Sequence, residues 1–272
     1  MTALLSHGMQ VHSLVGQLHS HEAQAPERFA ACPPAATRPP PLPPQNAQAP
    51  TLLGGLGEGG RGRSASASVG ASGSALESGA RWDGLSATIA GRVNVSPKRL
   101  VEPGPSDAQL HGLLQLAAAA PDHGQLMPWR FVLVPQAQRP RLGEAFVQAL
   151  IARDPSATVE QIDSAREKAL RAPLLLLAVA CHGRSEARIP VCEQLVSLGA
   201  AVQNVLLGAQ ALGFGSGLTS GQAMDSEPLR ALFGLQAHEA AVCFVNIGTV
   251  GKHKASNRVR PAPEEFLCVL GG

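Results

Sequence analysis

The run PLLLLAVAC at 173–181 narrows the choice of fold more than any other stretch of the chain. It is bounded by proline and offers no polar position, so a strand built from it is buried on both faces and needs a covering layer on each. Segments of helical period around it supply that cover. Ser106 caps AQLHGLLQLAAAA, in which Leu110, Leu113, Leu114 and Ala117 fall on one face. Helices are expected over Arg139–Arg153 and over 158–171, the second opened by a capping box in TVEQ at Thr158. Leu85, Ile89 and Val93 share a helical spacing behind Asp83 or Ser86, which predicts a first short helix. The run at 131–134, stopped by Pro135, reads as a second strand, 241–247 as a third and 267–270 as a further edge strand, with a helix at 226–233. The longest periodic stretch, 191–212, carries Gly199, Ala200, Ala201, Gly208, Ala209 and Ala211, small residues that let a neighbouring helix or a flat ligand approach its backbone. Gly213 and Gly215 stop it. This order of elements predicts an α+β fold, a small mixed β-sheet flanked by helices.

Apolar periodicity begins only near Asp83. Upstream, the proline-rich CPPAATRPPPLPPQNAQAP and the Gly/Ser/Ala-rich tract after it draw heavily on the chain's 29 glycines and 22 prolines. Such tracts bury too little apolar surface to offset the entropy of ordering them. Residues 1–80 are therefore expected to be disordered and 81–272 to form one domain, large enough to bury about 70% of its surface. A formal net charge of +2, no Tyr and only 2 Trp leave no footprint for nucleic acid. Cys32, Cys181, Cys192, Cys243 and Cys268 contain no CxxC pair, so neither a metal site nor thioredoxin chemistry is expected, and a reducing compartment is. No apolar run approaches the ~20 residues of a membrane span. The absence of Lys or Arg before Arg28 argues against a secretory signal, so the cytoplasm is the expected location. GLGEGG has neither the strand before it nor the helix after it that a dinucleotide fingerprint requires.

The segment AAAAPDHGQLMPWRFVLV at 117–134 reads as helix, loop, strand. A loop held between rigid elements and carrying Asp122, His123 and Gln125 is where a ligand is gripped, while Trp129 reads as a core anchor. NVSPKRL places the Ser96 hydroxyl beside Lys98 and Arg99, a combination that suits a phosphate. GTVGKHKASNR repeats the cations beyond the last strand. Taken in order with EQLVSLGAAVQNVLLGAQALGFGSGLTSG, these segments run over 85–270, and the chain resembles the nitroreductase family of flavoproteins, in its compact branch with Pro-Asp-His ahead of Pro-Trp.

That resemblance implies FMN as cofactor, NAD(P)H as donor, and a small-molecule acceptor such as a nitroaromatic or a quinone. It further implies a two-step exchange and a homodimer whose sites lie between subunits. Arg92, Asn94, Val95 and Ser96 are implied flavin residues: Ser96 matches the serine of the family's Arg-Arg-Ser, whereas Asn94 and Val95 stand in place of the arginines. His123 and Gln125 match loop positions near the ring. Leu218, Thr219 and Ser220 match the segment against its pyrimidine edge, and Lys254, then Arg258, match the cation directed at the phosphate. Gly208, Ala209, Gln210, Ala211, Leu212 and Gly213 match the region implied for nicotinamide contact. Because the flavin carries the redox chemistry, no acid or base is nominated. A non-catalytic flavin-binding or carrier protein is the second reading, and a scaffold working through its proline-rich segment the third.

Overall fold

The computed structural model describes residues 69–182, 189–254 and 259–270, with side chains from residue 78 onward. Most of the segment expected to be disordered, and Arg258, lie outside the described residues. The elements in chain order are α1 (Val69–Gly91), β1 (Leu100–Val101), α2 (Asp107–Ala118), β2 (Trp129–Leu133), α3 (Arg139–Arg153), α4 (Val159–Glu167), β3 (Leu174–Cys181), α5 (Val191–Ala211), β4 (Gly215–Thr219), α6 (Glu227–Phe233) and β5 (Glu239–Val250).

β3 is buried at every position, as its composition requires. It pairs antiparallel with β2 on one side and with β5 on the other, and β5 also carries β4 and β1, both antiparallel. The parallel contribution to this sheet is the bridge between Asn94 and Ser216. Alternation along β3 sends Leu175, Leu177, Val179 and Cys181 to one face, where Leu142 of α3, Leu229 of α6 and Phe244 complete a core. The alternate residues face α5, which packs on β3, β4 and α2. Helices therefore cover both faces, and the chain has the expected α+β architecture. By length and composition α5 is apolar enough to cross a membrane. In this fold Leu198, Val202, Val205 and Leu206 on it are buried among the other elements.

Local chemistry explains most boundaries. α2 and α4 each open on a capping box, Ser106 with Gln109 and Thr158 with Gln161, satisfying two orphan N–H groups per helix. α5 ends before Gly213 at φ 83°, a conformation that suits glycine. Arg139, 1% exposed, donates from its guanidinium to the carbonyls of Val134, Ala169 and Pro173 at 2.9, 2.8 and 3.3 Å. It thus ties β2, α3 and the approach to β3 together. Burial lowers its pKa to about 10, which leaves it charged at neutral pH.

Several boundaries differ from expectation. α1 begins at Val69, well ahead of Asp83 or Ser86, because the Ala/Ser/Glu-containing residues upstream continue the helix without a stop signal. It ends at Gly91, so Val93 lies beyond it. The second predicted helix stops at Glu167 and tightens into a 3₁₀ turn over Lys168–Leu170. No strand forms at 267–270: the ladder positions of β5 are taken by β3, β4 and β1, and Leu267 and Val269 stay exposed. The segment GSGLT forms β4, a strand for which no apolar alternation calls.

Candidate functional site

The extended segment Asn94-Val95-Ser96 lies alongside β4. Val95 donates its N–H to the Ser216 carbonyl at 2.8 Å, and the Asn94 Oδ1 accepts from the Leu218 N–H at 3.0 Å. Gly217 permits this approach, since a β-carbon there would collide with the Val95 carbonyl oxygen. Val95 turns its side chain into a small core with Leu100 and Ala172, leaving only its backbone for a ligand. Ser96 then precedes a 3₁₀ turn over Pro97–Arg99, which puts Lys98 and Arg99 immediately beyond it.

Two cavities open along this paired ridge. The larger, about 690 Å³, is lined by Ser96, Thr219, Ser220 and Asn246, by the cations Arg153, Lys168 and Arg171, and by apolar side chains including Phe146, Met224 and Phe244. Asn246, 3% exposed, donates its amide to the Gly217 carbonyl at 3.2 Å and to the Thr219 hydroxyl at 3.0 Å, which fixes that hydroxyl at the cavity wall. The second cavity, about 620 Å³, collects Arg92, Asn94, Arg99, His253, Lys254 and Arg260 with Gln210 and Gly213 from the end of α5. Among the described residues no carboxylate lines it. Val95 borders the basic cavity and Ser96 the larger one; Gly215 and Thr219 border them in the same order. The bridge between the two segments is parallel, so both run from the basic cavity toward the larger one. From Gly215 to Thr219 that distance is about 13 Å at roughly 3.3 Å per residue.

Ser96, Thr219 and Ser220 thus share one cavity, while Arg92, Asn94, Lys254, Gln210 and Gly213 share the other. Leu218 is partly exposed between them. Gly208 and Ala209 are packing positions: a β-carbon on Gly208 would sit 2.6 Å from the Leu116 side chain. Ala211 and Leu212 are exposed at the end of α5. His123 and Gln125 line neither cavity. Their loop is built by Asp122, whose carboxylate accepts from the Leu126 and Met127 N–H groups at 3.2 and 2.7 Å. Gly124, Gln125 and Met127 hold φ of 73°, 52° and 45°. Left-handed backbone at two residues with side chains marks a shape imposed by its surroundings. The His123 Nδ1 lies 2.7 Å from the Glu193 carboxylate near the start of α5. Trp129 is the expected anchor, 8% exposed with its indole N–H donated to the Ser197 hydroxyl at 2.9 Å.

Sequence reasoning missed Lys168, Arg171, Asn246 and Arg260. A polar residue inside the apolar strand AVCFVNIG signals Asn246, because a buried amide needs a specific set of partners. Nothing local marks the three cations, which read as ordinary charge on helix ends or chain termini.

The chain matches known proteins over this region in sequence and in fold. The family model described as "Nitroreductase family" matches residues 98–249. YdjA of Escherichia coli (strain K12), provisionally named as an NAD(P)H nitroreductase, is 34% identical over 173 residues, covering 63% of this chain and 92% of YdjA. Among solved structures, a nitroreductase-like family protein from Bacillus cereus superposes with a TM-score of 0.59 at 20% identity, over 68% of this chain and 96% of its own. A nitroreductase with bound FMN from Bacteroides fragilis gives a TM-score of 0.51 at 18% identity, over 67% and 96%. With more than half of its length matched by the family model and a relative covered almost end to end, this chain belongs to the nitroreductase family.

Proposed function

We propose that this protein is an FMN-dependent oxidoreductase that takes electrons from NAD(P)H and passes them to a nitroaromatic, a quinone or a similar conjugated acceptor. The observation that carries this reading is the ridge of Asn94 to Ser96 beside β4, with a hydroxyl- and amide-lined cavity at one end and at the other a cationic cavity that has no carboxylate among the described residues. That donor set fits FMN, which presents polar ring edges and an anionic phosphate well separated from them. Ser96, Thr219, Ser220, Lys168 and Arg171 would hold the ring and ribityl end, and Arg92, Asn94 and Lys254 the phosphate. Lys168 and Arg171 form no ion pair with a described carboxylate and outnumber, with Arg153, the one described acid of the larger cavity, Glu160, so their charge would stabilise negative charge placed there. When bound, FMN supplies the hydride-accepting and hydride-donating chemistry. The chain's own part is to orient both partners against one face and to keep the Thr219 hydroxyl fixed through Asn246.

A homodimer belongs to this reading. Trp82 and Leu85 on α1 and Leu195 and Val196 on α5 are 69%, 54%, 43% and 69% exposed, more apolar surface than one helical layer ordinarily shows to water. In this reading the His123 loop, which lines neither cavity of its own chain, would serve the site of the other subunit.

The deciding measurement is spectroscopic. Purified protein is expected to be yellow, with FMN at about one per chain. Anaerobic NADH or NADPH should bleach the flavin band and a nitroaromatic should restore it, with parallel double-reciprocal plots in steady state. A fully loaded protein that neither nucleotide bleaches is instead the non-catalytic flavin carrier.

A further inference from the structure

In this chain Asn94 and Val95 occupy the positions where its family resemblance expects a pair of arginines, so the positive charge for an FMN phosphate has to come from elsewhere. Arg260, distant in sequence, reaches the same cavity as Asn94 and Lys254. One nitrogen of its guanidinium, Nη2, donates to the carbonyls of Ala90 and Arg92 at 2.8 and 3.1 Å. Those are carbonyls at and just past the C-terminal end of α1, which have no partner within the helix and favour a cation. The contact fixes the plane of the guanidinium against the helix end. The Nε and Nη1 donors are left without another described protein acceptor, in a cavity that holds Arg99 and Lys254 and, among the described residues, no acidic side chain.

Like charges gathered in this way repel one another. An anion relieves that repulsion, and a phosphate monoester fits, because its several oxygens can each accept from a different cation of the wall, the Arg260 Nε and Nη1 donors included. Arg99 is placed to assist: its Nη1 makes only a long contact, 3.5 Å, with the Lys252 carbonyl, and its own carbonyl accepts from the Gly251 N–H at 2.9 Å, which holds the Lys252–Lys254 segment near the cavity.

We infer that Arg260, seated on the end of α1, is the residue that clamps the flavin phosphate in this chain, with Arg99 and Lys254 completing the positive wall that Asn94 and Val95 leave open. The inference rests on the FMN reading above and adds to it a specific donor. It also makes α1 part of the cofactor site, since the end of that helix positions the clamp.

The test compares FMN with riboflavin, which has the same ring and ribityl chain without the phosphate. Dissociation constants of both are measured by flavin fluorescence for the full-length protein, R260Q and R260K. R260Q should weaken FMN by about tenfold to hundredfold, the range set by losing charge-assisted hydrogen bonds, while changing riboflavin by less than about threefold. R260K, which keeps the charge without the planar donors seated on the end of α1, should fall between. Inorganic phosphate should compete with FMN in the parent and not with riboflavin. If R260Q weakens both flavins equally, Arg260 only supports α1 and the clamp is overturned. If R260Q binds FMN as the parent does, the clamp is overturned while the flavin reading stands. If the parent binds neither flavin, both readings fall.

Discussion

Glu239 opens β5 at 6% exposure, a position that a carboxylate tolerates only with partners. Arg130 supplies two of them, Nε to Oε1 at 2.8 Å and Nη2 to Oε2 at 3.0 Å, and the Gln236 N–H a third at 3.1 Å. Burial opposes ionisation, but these donors outweigh it and hold the carboxyl at about 2, below its ordinary 4.5. A folded-state pKa below the unfolded one gives stability that is complete above the unfolded value and lost as pH falls toward the folded one. E239Q is therefore expected to flatten the loss of stability between about pH 5 and pH 2 seen in the parent. R130M, which strands a buried charge, should cost about 3–5 kcal/mol at neutral pH. Urea unfolding across pH checks both, and an unchanged acid limb in E239Q would remove this pair from the account of acid sensitivity. His123 and Glu193 contrast with this pair: both side chains are largely exposed, so their 2.7 Å contact orients the loop more than it stabilises the fold.

At the scale of elements, the site depends on how closely two strands approach. In G217A the new methyl would meet the Val95 carbonyl oxygen, which is backbone and cannot swing away, so the Asn94-to-Ser96 segment has to shift. We expect about 1–3 kcal/mol of destabilisation together with loss of flavin affinity, measured by urea midpoint and flavin titration. A variant that keeps both would show that the ridge does not set the site. The capping boxes make a local control: S106A or T158A should each cost about 1 kcal/mol and leave flavin affinity unchanged, because neither residue lines a cavity. α1 is the element whose role changed most between sequence and structure. As an isolated helix it has a weak apolar face, yet Arg260 docks on its last carbonyls.

For the whole molecule, two experiments follow from where apolar surface and chain ends lie. Sedimentation should give the mass of two chains, and V196E on the exposed face of α5 should shift it toward one while weakening flavin binding. A monodisperse single chain that still binds FMN tightly would separate the site from the dimer. Removal of residues 1–68 should leave FMN affinity intact, whereas removal of 1–92 takes away α1 and with it the seat of Arg260. Equal affinity in the two truncations would show that α1 is dispensable.

The sequence alone determined what rests on near neighbours. The unbroken apolar run of β3, the capping boxes at Ser106 and Thr158 and the glycine stop after α5 all follow from backbone hydrogen bonding and side-chain period within a few residues, and each was legible before any coordinates. Ser96, Thr219 and Ser220 were named from segments that keep family order, and all three line the larger cavity. Only the tertiary structure decided which groups share a cavity. Ser96 and Lys254 were expected together and line different cavities, while Arg260 meets a carbonyl 168 positions away. Such meetings leave no periodic or local trace, since a guanidinium at the end of a chain is chemically the same whether it faces water or a phosphate. The antiparallel stacking of β4 and β1 on β5, and the closing of α1 onto the tail, are what bring those charges to one place.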